Sequence, residues 1–128
     1  MSNNIRQLHD NAMAAAEKAF FAKRAGDTDL AKTLIYEAYK NEKSAAESLS
    51  TQIDKEPSRS VLFRSAATLA YECGEYREAE KLISNGLSGN PPDEIADELR
   101  DLLEQVNFTR HLQNQNPAGG VTPAREKS

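Results

Sequence analysis

The stretch from Phe63 to Pro91 restricts the fold of this chain more than any other segment. Its first part places apolar residues such as Leu69 at three- and four-residue spacing, the period of one face of an α-helix. Gly74 interrupts this pattern, a second helical pattern around Leu82 follows, and Pro91 closes it. Glycine allows a tight turn, and proline cannot continue a helix. The segment therefore predicts two helices that pack together as a hairpin.

The first half of the chain repeats this pattern in a weaker form. Gly26 begins the segment GDTDLAKTLI, and Gly74 begins the segment GEYREAEKLI. In both segments an acidic residue follows the glycine, an alanine stands five positions after it, and a Leu-Ile pair begins eight positions after it. The glycine permits the turn, the alanine lets the second helix pack closely, and the Leu-Ile pair fills the core. We therefore expect two helical hairpins.

Apolar spacing, capping residues and helix breakers predict five helices. Asp27 or Thr28 is expected to cap the second helix, and Asn90 is expected to cap the fifth. Residues 113–128 are almost without apolar side chains, so this tail is predicted to be disordered. The predicted domain covers residues 1–112 and consists of a hairpin over 4–50 (helices 4–24 and 28–50), a hairpin over 58–87 (helices 58–73 and 76–87) and a capping helix over 92–108.

The second hairpin resembles a tetratricopeptide repeat. Gly74 stands at the turn glycine of that repeat, Phe63 at its usual Trp position and Pro91 at its closing Pro. The spacing of 48 residues between Gly26 and Gly74 exceeds the roughly 34 residues of such a repeat, so the chain is not an array of identical units. Further matches are Tyr76, Ala79 and Leu87, and departures are Ala66, Ala67 and Gly86.

Between Arg6 and Leu112 the chain also looks like a group of small bacterial tetratricopeptide-repeat-like proteins. The segments that carry this resemblance are RQLHDNAM, EPSRSVLFRSAATLA and CGEYREAEKLISNGLSGNPPDEIADELRDLLEQVNFTRHL. The resemblance implies an all-α, five-helix array of helical hairpins with a C-terminal capping helix. It also implies a surface that binds another protein or a peptide, and it supplies no catalytic residue.

Composition disfavours several classes of partner. Sixteen Lys and Arg against twenty Asp and Glu give a net charge of −4, so the chain lacks the basic field that phosphate contacts need. The absence of Trp disfavours stacking on single-stranded nucleic acid. The N-terminus lacks the pattern of a signal peptide, and no apolar run approaches the ~18 residues of a membrane span. These features predict a cytoplasmic protein that binds neither nucleic acid nor membrane.

Few residues could carry chemistry. The two histidines, His9 and His111, lie outside any metal-ligand spacing, and His9-Asp10 is interpreted as a solvated or helix-end pair. Cys73 falls at a helix C-terminus, where the helix dipole raises a thiol pKa, so we expect a small buried filler. The acids of the fifth helix form either a solvated face or an acidic docking site. We therefore expect no enzyme, no metal and no cofactor.

The resemblance also implies where a partner would bind. Ligand-facing positions of tetratricopeptide domains lie on the first helix of each pair. The offset from the turn glycine maps them to Arg64, Thr68 and Tyr71 in the second hairpin and, less closely, to Lys23 and Arg24 in the first. The cations could pair with a carboxylate while Tyr71 offers apolar contact. Further positions on these faces are Val61, Glu72, Met13, Ala16 and Phe20.

Two interpretations stay open at this point. In the first, the chain is a non-catalytic adaptor or regulatory scaffold that binds a protein or peptide on its concave surface. In the second, it is a structural subunit whose apolar face is buried in a homo-oligomer such as a homodimer. At the residue level, Phe20 could instead belong to the core, the cations could be ordinary surface residues, and Arg59 and Arg64 could serve only local hydrogen bonding.

Overall fold

The computed structural model describes residues 2–115, and this part of the chain is all-α, with five α-helices and no strand. A short 3₁₀ turn, Ile53–Lys55, lies between the second and third helices. The second helix ends at Glu47, three residues before the predicted Ser50. The helices are α1 (Asn3–Arg24), α2 (Thr28–Glu47), α3 (Ser58–Glu72), α4 (Tyr76–Leu87) and α5 (Asp93–Gln115).

The two glycine turns use the same local geometry. Gly26 and Gly74 follow α1 and α3 with φ angles of 85° and 79°, in the left-handed region that favours glycine. In each turn the residue after the glycine donates its N–H to the carbonyl five positions earlier at 2.9 Å, which closes a Schellman motif. Asp27 Oδ1 accepts the N–H of Leu30 at 3.1 Å and thus caps α2. The predicted glycine turns and the Asp27 cap are confirmed.

Both ends of α5 differ from the prediction. α5 begins only at Asp93, so Asn90 lies too far before the helix to cap it, and its backbone N–H donates to Glu56 Oε2 at 2.9 Å. At the other end α5 continues past the predicted Phe108 to Gln115, so the first three residues of the predicted tail are helical. No glycine or proline interrupts this stretch, which explains the extension. The rest of the predicted disordered tail, residues 116–128, lies outside the described residues.

Side-chain contacts define how the helices run. His9 near the start of α1 contacts Glu42 near the end of α2, so these two helices are antiparallel. α3 and α5 are parallel, because Arg64 pairs with Glu98 and Tyr71 OH lies 2.8 Å from the Thr109 hydroxyl further along both helices. Consecutive helices pack on each other, and α5 packs on α3 as well as on α4.

The core changes character along the chain. Between α1 and α2 it consists mainly of alanine, whereas around α3, α4 and α5 it contains large side chains such as Phe63 and Leu99. Gly86 of α4 lies in this second region, where an added Cβ would approach Phe63 Cβ to 3.1 Å and Leu99 Cδ1 to 3.0 Å. A glycine at this position therefore lets α4 sit close to both neighbouring helices, where a tetratricopeptide repeat usually has alanine.

Arg59 holds the linker before α3 to the end of α4. Its side chain is 1% exposed, and its Nε donates to the carbonyl of Ser50 at 2.9 Å. Its two terminal nitrogens donate to the carbonyls of Asn85 and Gly86, which belong to the last turn of α4. These bonds satisfy carbonyls that a helix end leaves without intrahelical partners. Arg59 thus serves internal hydrogen bonding, but its partners in α4 lie 26 and 27 residues away, so this bonding is not only local as the sequence interpretation had it.

Glu56 completes this network. Its Oε2 accepts from Arg59 Nη1 at 3.3 Å and from Asn90, while its Oε1 accepts the N–H of Ser60 at 2.9 Å. Burial alone would raise the pKa of this carboxyl, but the hydrogen bonds from Ser60 and Asn90 and the charge of Arg59 together lower it. Gly89 passes so close that an added Cβ would lie 2.3 Å from Arg59 Nη1. Gly89 is thus required for space rather than for a left-handed turn.

Candidate functional site

A groove opens where the C-terminal half of α1, the N-terminal half of α2 and the end of α3 meet. Its volume is about 670 Å³. Six of its ten lining residues are apolar, and three of those are alanines, whose short side chains leave the space between the helices unfilled. The lining residues are Ala16, Ala19, Phe20 and Lys23 of α1, Thr28, Ala31, Lys32 and Ile35 of α2, and Leu69 and Glu72 of α3.

Phe20 is the largest apolar side chain in the groove, and it is 57% exposed. Its ring meets the ring of Phe21 edge-on at 5.6 Å, and the Arg24 guanidinium lies 5.8 Å from its centroid. The interpretation of Phe20 as a core residue is therefore wrong. An exposed phenylalanine beside small apolar residues offers a contact surface that water hydrates poorly.

Three charged side chains line the same groove. Lys23 and Lys32 form no salt bridge with any residue in the described range 2–115. Glu72 is exposed to solvent at the edge of the groove, yet the surrounding protein desolvates its carboxyl and raises its pKa, while the charge of Lys23 opposes this shift. The groove thus combines an apolar floor with an excess of one positive charge.

The structure does not bring all the predicted binding residues together. Lys23 lines the groove and Arg24 lies beside it over Phe20, but Arg64, Thr68 and Tyr71 do not line it. Arg64 pairs with Glu98 of α5, and Tyr71 bonds to Thr109 of the same helix. The Thr68 hydroxyl donates to the backbone carbonyl of Arg64 at 3.0 Å. The capping helix therefore engages Arg64 and Tyr71, two of the three residues expected to face a partner, while Thr68 stays exposed.

The offset from the turn glycine missed six of the ten residues that line the groove. This mapping covered only the first helix of each hairpin, whereas Lys32 and Ile35 belong to α2. On α3 it also left out Leu69. The apolar pattern of α2 contained Ile35 but gave no sign that this residue would line an opening rather than fill the core. Lys32 carried no recognisable signal, because a single lysine on a helix is ordinary.

His9 has a role that its sequence neighbours did not indicate. Its Nδ1 lies 2.9 and 3.0 Å from the two carboxyl oxygens of Glu42, whose side chain is 0% exposed. Either carboxyl oxygen can accept a hydrogen bond, so Nδ1 donates to them when it carries the ring proton. The interpretation of His9-Asp10 as a merely solvated pair is wrong for His9, which clamps α1 to α2. The 33 residues between His9 and Glu42 hid this contact from the sequence.

Cys73 is a weak nucleophile in this environment. Burial and the nearby charges of Glu72 and Glu75 raise the pKa of its thiol to about 11, so it is protonated at neutral pH. Within residues 2–115 no group of three His, Cys, Asp or Glu side chains is placed to hold a metal ion. None of the helices in this range is long and apolar enough to cross a bilayer.

Comparisons of the chain with protein-family models, with curated proteins and with solved structures gave no match. Function therefore has to be inferred from the residues of the chain itself. Among the described residues, the groove between α1, α2 and α3 combines space, exposed apolar surface and charges without salt-bridge partners.

Proposed function

We propose that the protein is a non-catalytic interaction module, an adaptor or regulatory scaffold, that binds a segment of a partner protein in the α1–α2–α3 groove. The observation that supports this proposal best is the exposure of Phe20 inside a groove of about 670 Å³. A volume of this size falls within the range of pockets that hold small ligands or a few side chains.

In this proposal the helices form a tetratricopeptide-like arrangement. Two antiparallel hairpins, α1–α2 and α3–α4, are joined by a ten-residue linker, and α5 takes the place of the first helix of a further repeat. The parallel direction of α3 and α5 supports this assignment. The groove then lies on the concave side, between the first helices of the two hairpins, with α2 beneath it.

The lining predicts the chemistry of the bound segment. An apolar side chain of the partner would pack on Phe20 and Ile35, and a carboxylate next to it would lie near Lys23 and Lys32. The expected segment is therefore an amphipathic, acidic one. This proposal moves the carboxylate contact from Arg64, which already has Glu98 as a partner, to the two lysines of the groove.

The alternative function, a structural subunit of a homo-oligomer, also has an observation in its favour. Within residues 2–115, five large apolar side chains outside the groove lining are more than 45% exposed, namely Phe21, Leu30, Tyr36, Phe108 and Leu112. A stable homo-oligomer would bury such residues permanently. It would then sediment at the same oligomeric mass at all practical concentrations.

Affinity capture tests the adaptor function. The bait is the wild type or the groove variant Lys23→Glu/Lys32→Glu, and the matched control is Lys18→Glu/Lys40→Glu, which reverses one lysine on each of the same helices outside the groove lining. We expect a protein that wild type and control retain and that the groove variant loses. We also expect Arg64→Glu to retain it. Equal retention by all four baits would contradict a binding role for the groove.

A further inference from the structure

One surface of α5 has the chemistry that the groove requires of its occupant. Phe108 and Leu112 are 63% and 49% exposed, and because they are four residues apart they lie on the same face of the helix. Glu104 and Asp101 precede them on this face by one and two turns and are also exposed. We call Asp101, Glu104, Phe108 and Leu112 the α5 stripe.

The charges of the two surfaces are complementary. α5 contains six Asp or Glu and only two Arg, whereas α1 contains four Lys or Arg against two acidic residues. The groove adds Lys32 of α2 to Lys23 of α1. An acidic helix that carries two exposed apolar side chains is the ligand expected for a cationic, apolar groove.

The stripe cannot reach the groove of its own chain. Tyr71 of α3 bonds to Thr109, and Glu80 of α4 pairs with Arg110, so α5 is held against α3 and α4 at two residues between Phe108 and Leu112. The groove lies beyond α3, between α1 and α2. Only the stripe of another molecule could therefore enter it.

We propose that the α5 stripe of a second copy of this chain occupies the groove and thereby competes with the partner protein. This inference rests on the proposed function of the groove and names a form of its regulation. The contact is heterologous, since a groove of one copy meets a stripe of the other. The contact is small and partly ionic, so we expect weak, concentration-dependent association that falls as salt is raised.

Sedimentation of the full chain with two variants tests this pairing. The groove variant is Lys23→Glu/Lys32→Glu, and the stripe variant is Phe108→Ser/Leu112→Ser; all four positions are exposed, so both variants should keep the wild-type circular dichroism spectrum. For each variant alone, the Kd of self-association should rise about tenfold or more, which corresponds to a loss of about 1.4 kcal/mol or more in binding free energy. The control Lys18→Glu/Lys40→Glu should associate like the wild type.

The decisive measurement is the equimolar mixture of the two variants. The stripe variant keeps its groove and the groove variant keeps its stripe, so the mixture should form a heterodimer although neither variant associates alone. A mixture that remains monomeric would overturn the proposal, and so would a wild type that stays monomeric at millimolar concentration. A stripe variant that associates as strongly as the wild type would overturn it as well.

Partner capture separates this inference from the function on which it rests. The stripe variant has an intact groove, so it should retain the captured partner at least as well as the wild type. If the partner is retained but the wild type never self-associates, the regulatory proposal is wrong and the groove function stands. If the groove variant loses self-association but still retains every partner, the adaptor function is wrong and the contact between copies stands.

Discussion

The α1–α2 hairpin and the α3–α5 unit are stabilised by different means. α1 and α2 meet through alanines and through the clamp between His9 and Glu42, and the hairpin leaves Phe20 and Phe21 exposed. The α3–α5 unit buries large side chains such as Phe63 in its core and adds the Arg59 network, although Phe108 and Leu112 of α5 stay exposed. The hairpin with the smaller core side chains is therefore also the part that leaves an open groove at its junction with α3, and under the proposed function this groove binds the partner.

The largest expected effect is a difference in stability between two phenylalanine-to-alanine variants. Phe63→Ala removes a fully buried ring and should lower the free energy of unfolding by about 3–5 kcal/mol. Phe20→Ala removes an exposed ring from the groove and should cost less than about 1 kcal/mol while it weakens partner binding. Urea denaturation of both variants measures the difference. Similar losses of unfolding free energy in the two variants would contradict this difference between the α1–α2 hairpin and the α3–α5 unit.

A second prediction tests the Arg59 network. Gly89→Ala should cost about 1–3 kcal/mol, because the new Cβ would lie 2.3 Å from Arg59 Nη1 and 2.9 Å from Glu56 Oε2. The Arg59 side chain cannot simply move aside, since backbone carbonyls hold its nitrogens. Ser84→Ala, at an exposed residue of α4 whose side chain lies outside this network, is the matched control. Thermal unfolding compares them, and a Gly89→Ala variant as stable as the control would contradict the packing argument.

A third prediction concerns the polar clamp of the α1–α2 hairpin. His9→Ala leaves the buried Glu42 carboxylate without its partner and should cost about 1–3 kcal/mol. Adding Glu42→Leu should recover part of this loss, because the unpaired buried group is then gone. A double-mutant cycle by urea denaturation gives the coupling between the two residues. Additive losses would show that the clamp does not contribute as a pair.

The smallest expected effect is a pH dependence of stability that arises from Glu56 in the α3–α5 unit. The folded-state pKa of Glu56 is lowered, so its contribution to stability is present above the unfolded pKa of about 4.3 and is lost as pH falls through the folded value. We expect Glu56→Gln to be less stable than the wild type at pH 7, with a difference that shrinks below about pH 4. Unfolding free energies measured from pH 7 to pH 3 test this. A difference that stays constant would contradict it.

The elements that could be predicted from the sequence are those whose causes are local. Gly26, Gly74 and Asp27 act within a few residues, through a left-handed φ angle or a capping bond, and the structure has them as expected. The end of α5 was predicted too early because polar residues after Phe108 suggested a tail. The bonds of Thr109 and Arg110 to α3 and α4 tie this stretch to the helical unit.

The candidate site was predictable only in part. Lys23 and Arg24 were placed on a binding surface by the tetratricopeptide resemblance and the offset from the turn glycine, and in the structure Lys23 lines the groove while Arg24 lies beside it over Phe20. Arg64 and Tyr71 followed from the same offset, but the offset could not show that α5 covers them. Whether α5 contacts these two residues depends on where this helix, some thirty residues later in the chain, packs in the folded protein.

The sequence by itself determined five helices and the glycine turns, because helix propensity, capping and backbone freedom act within one or two turns of chain. The tertiary structure decided which polar residues are buried and which apolar residues are exposed. Arg59 and Glu42 are buried because partners far along the chain satisfy them, and Phe20 is exposed because alanines leave a groove beside it. Such outcomes depend on long-range contacts, which the residues of a single helix do not encode.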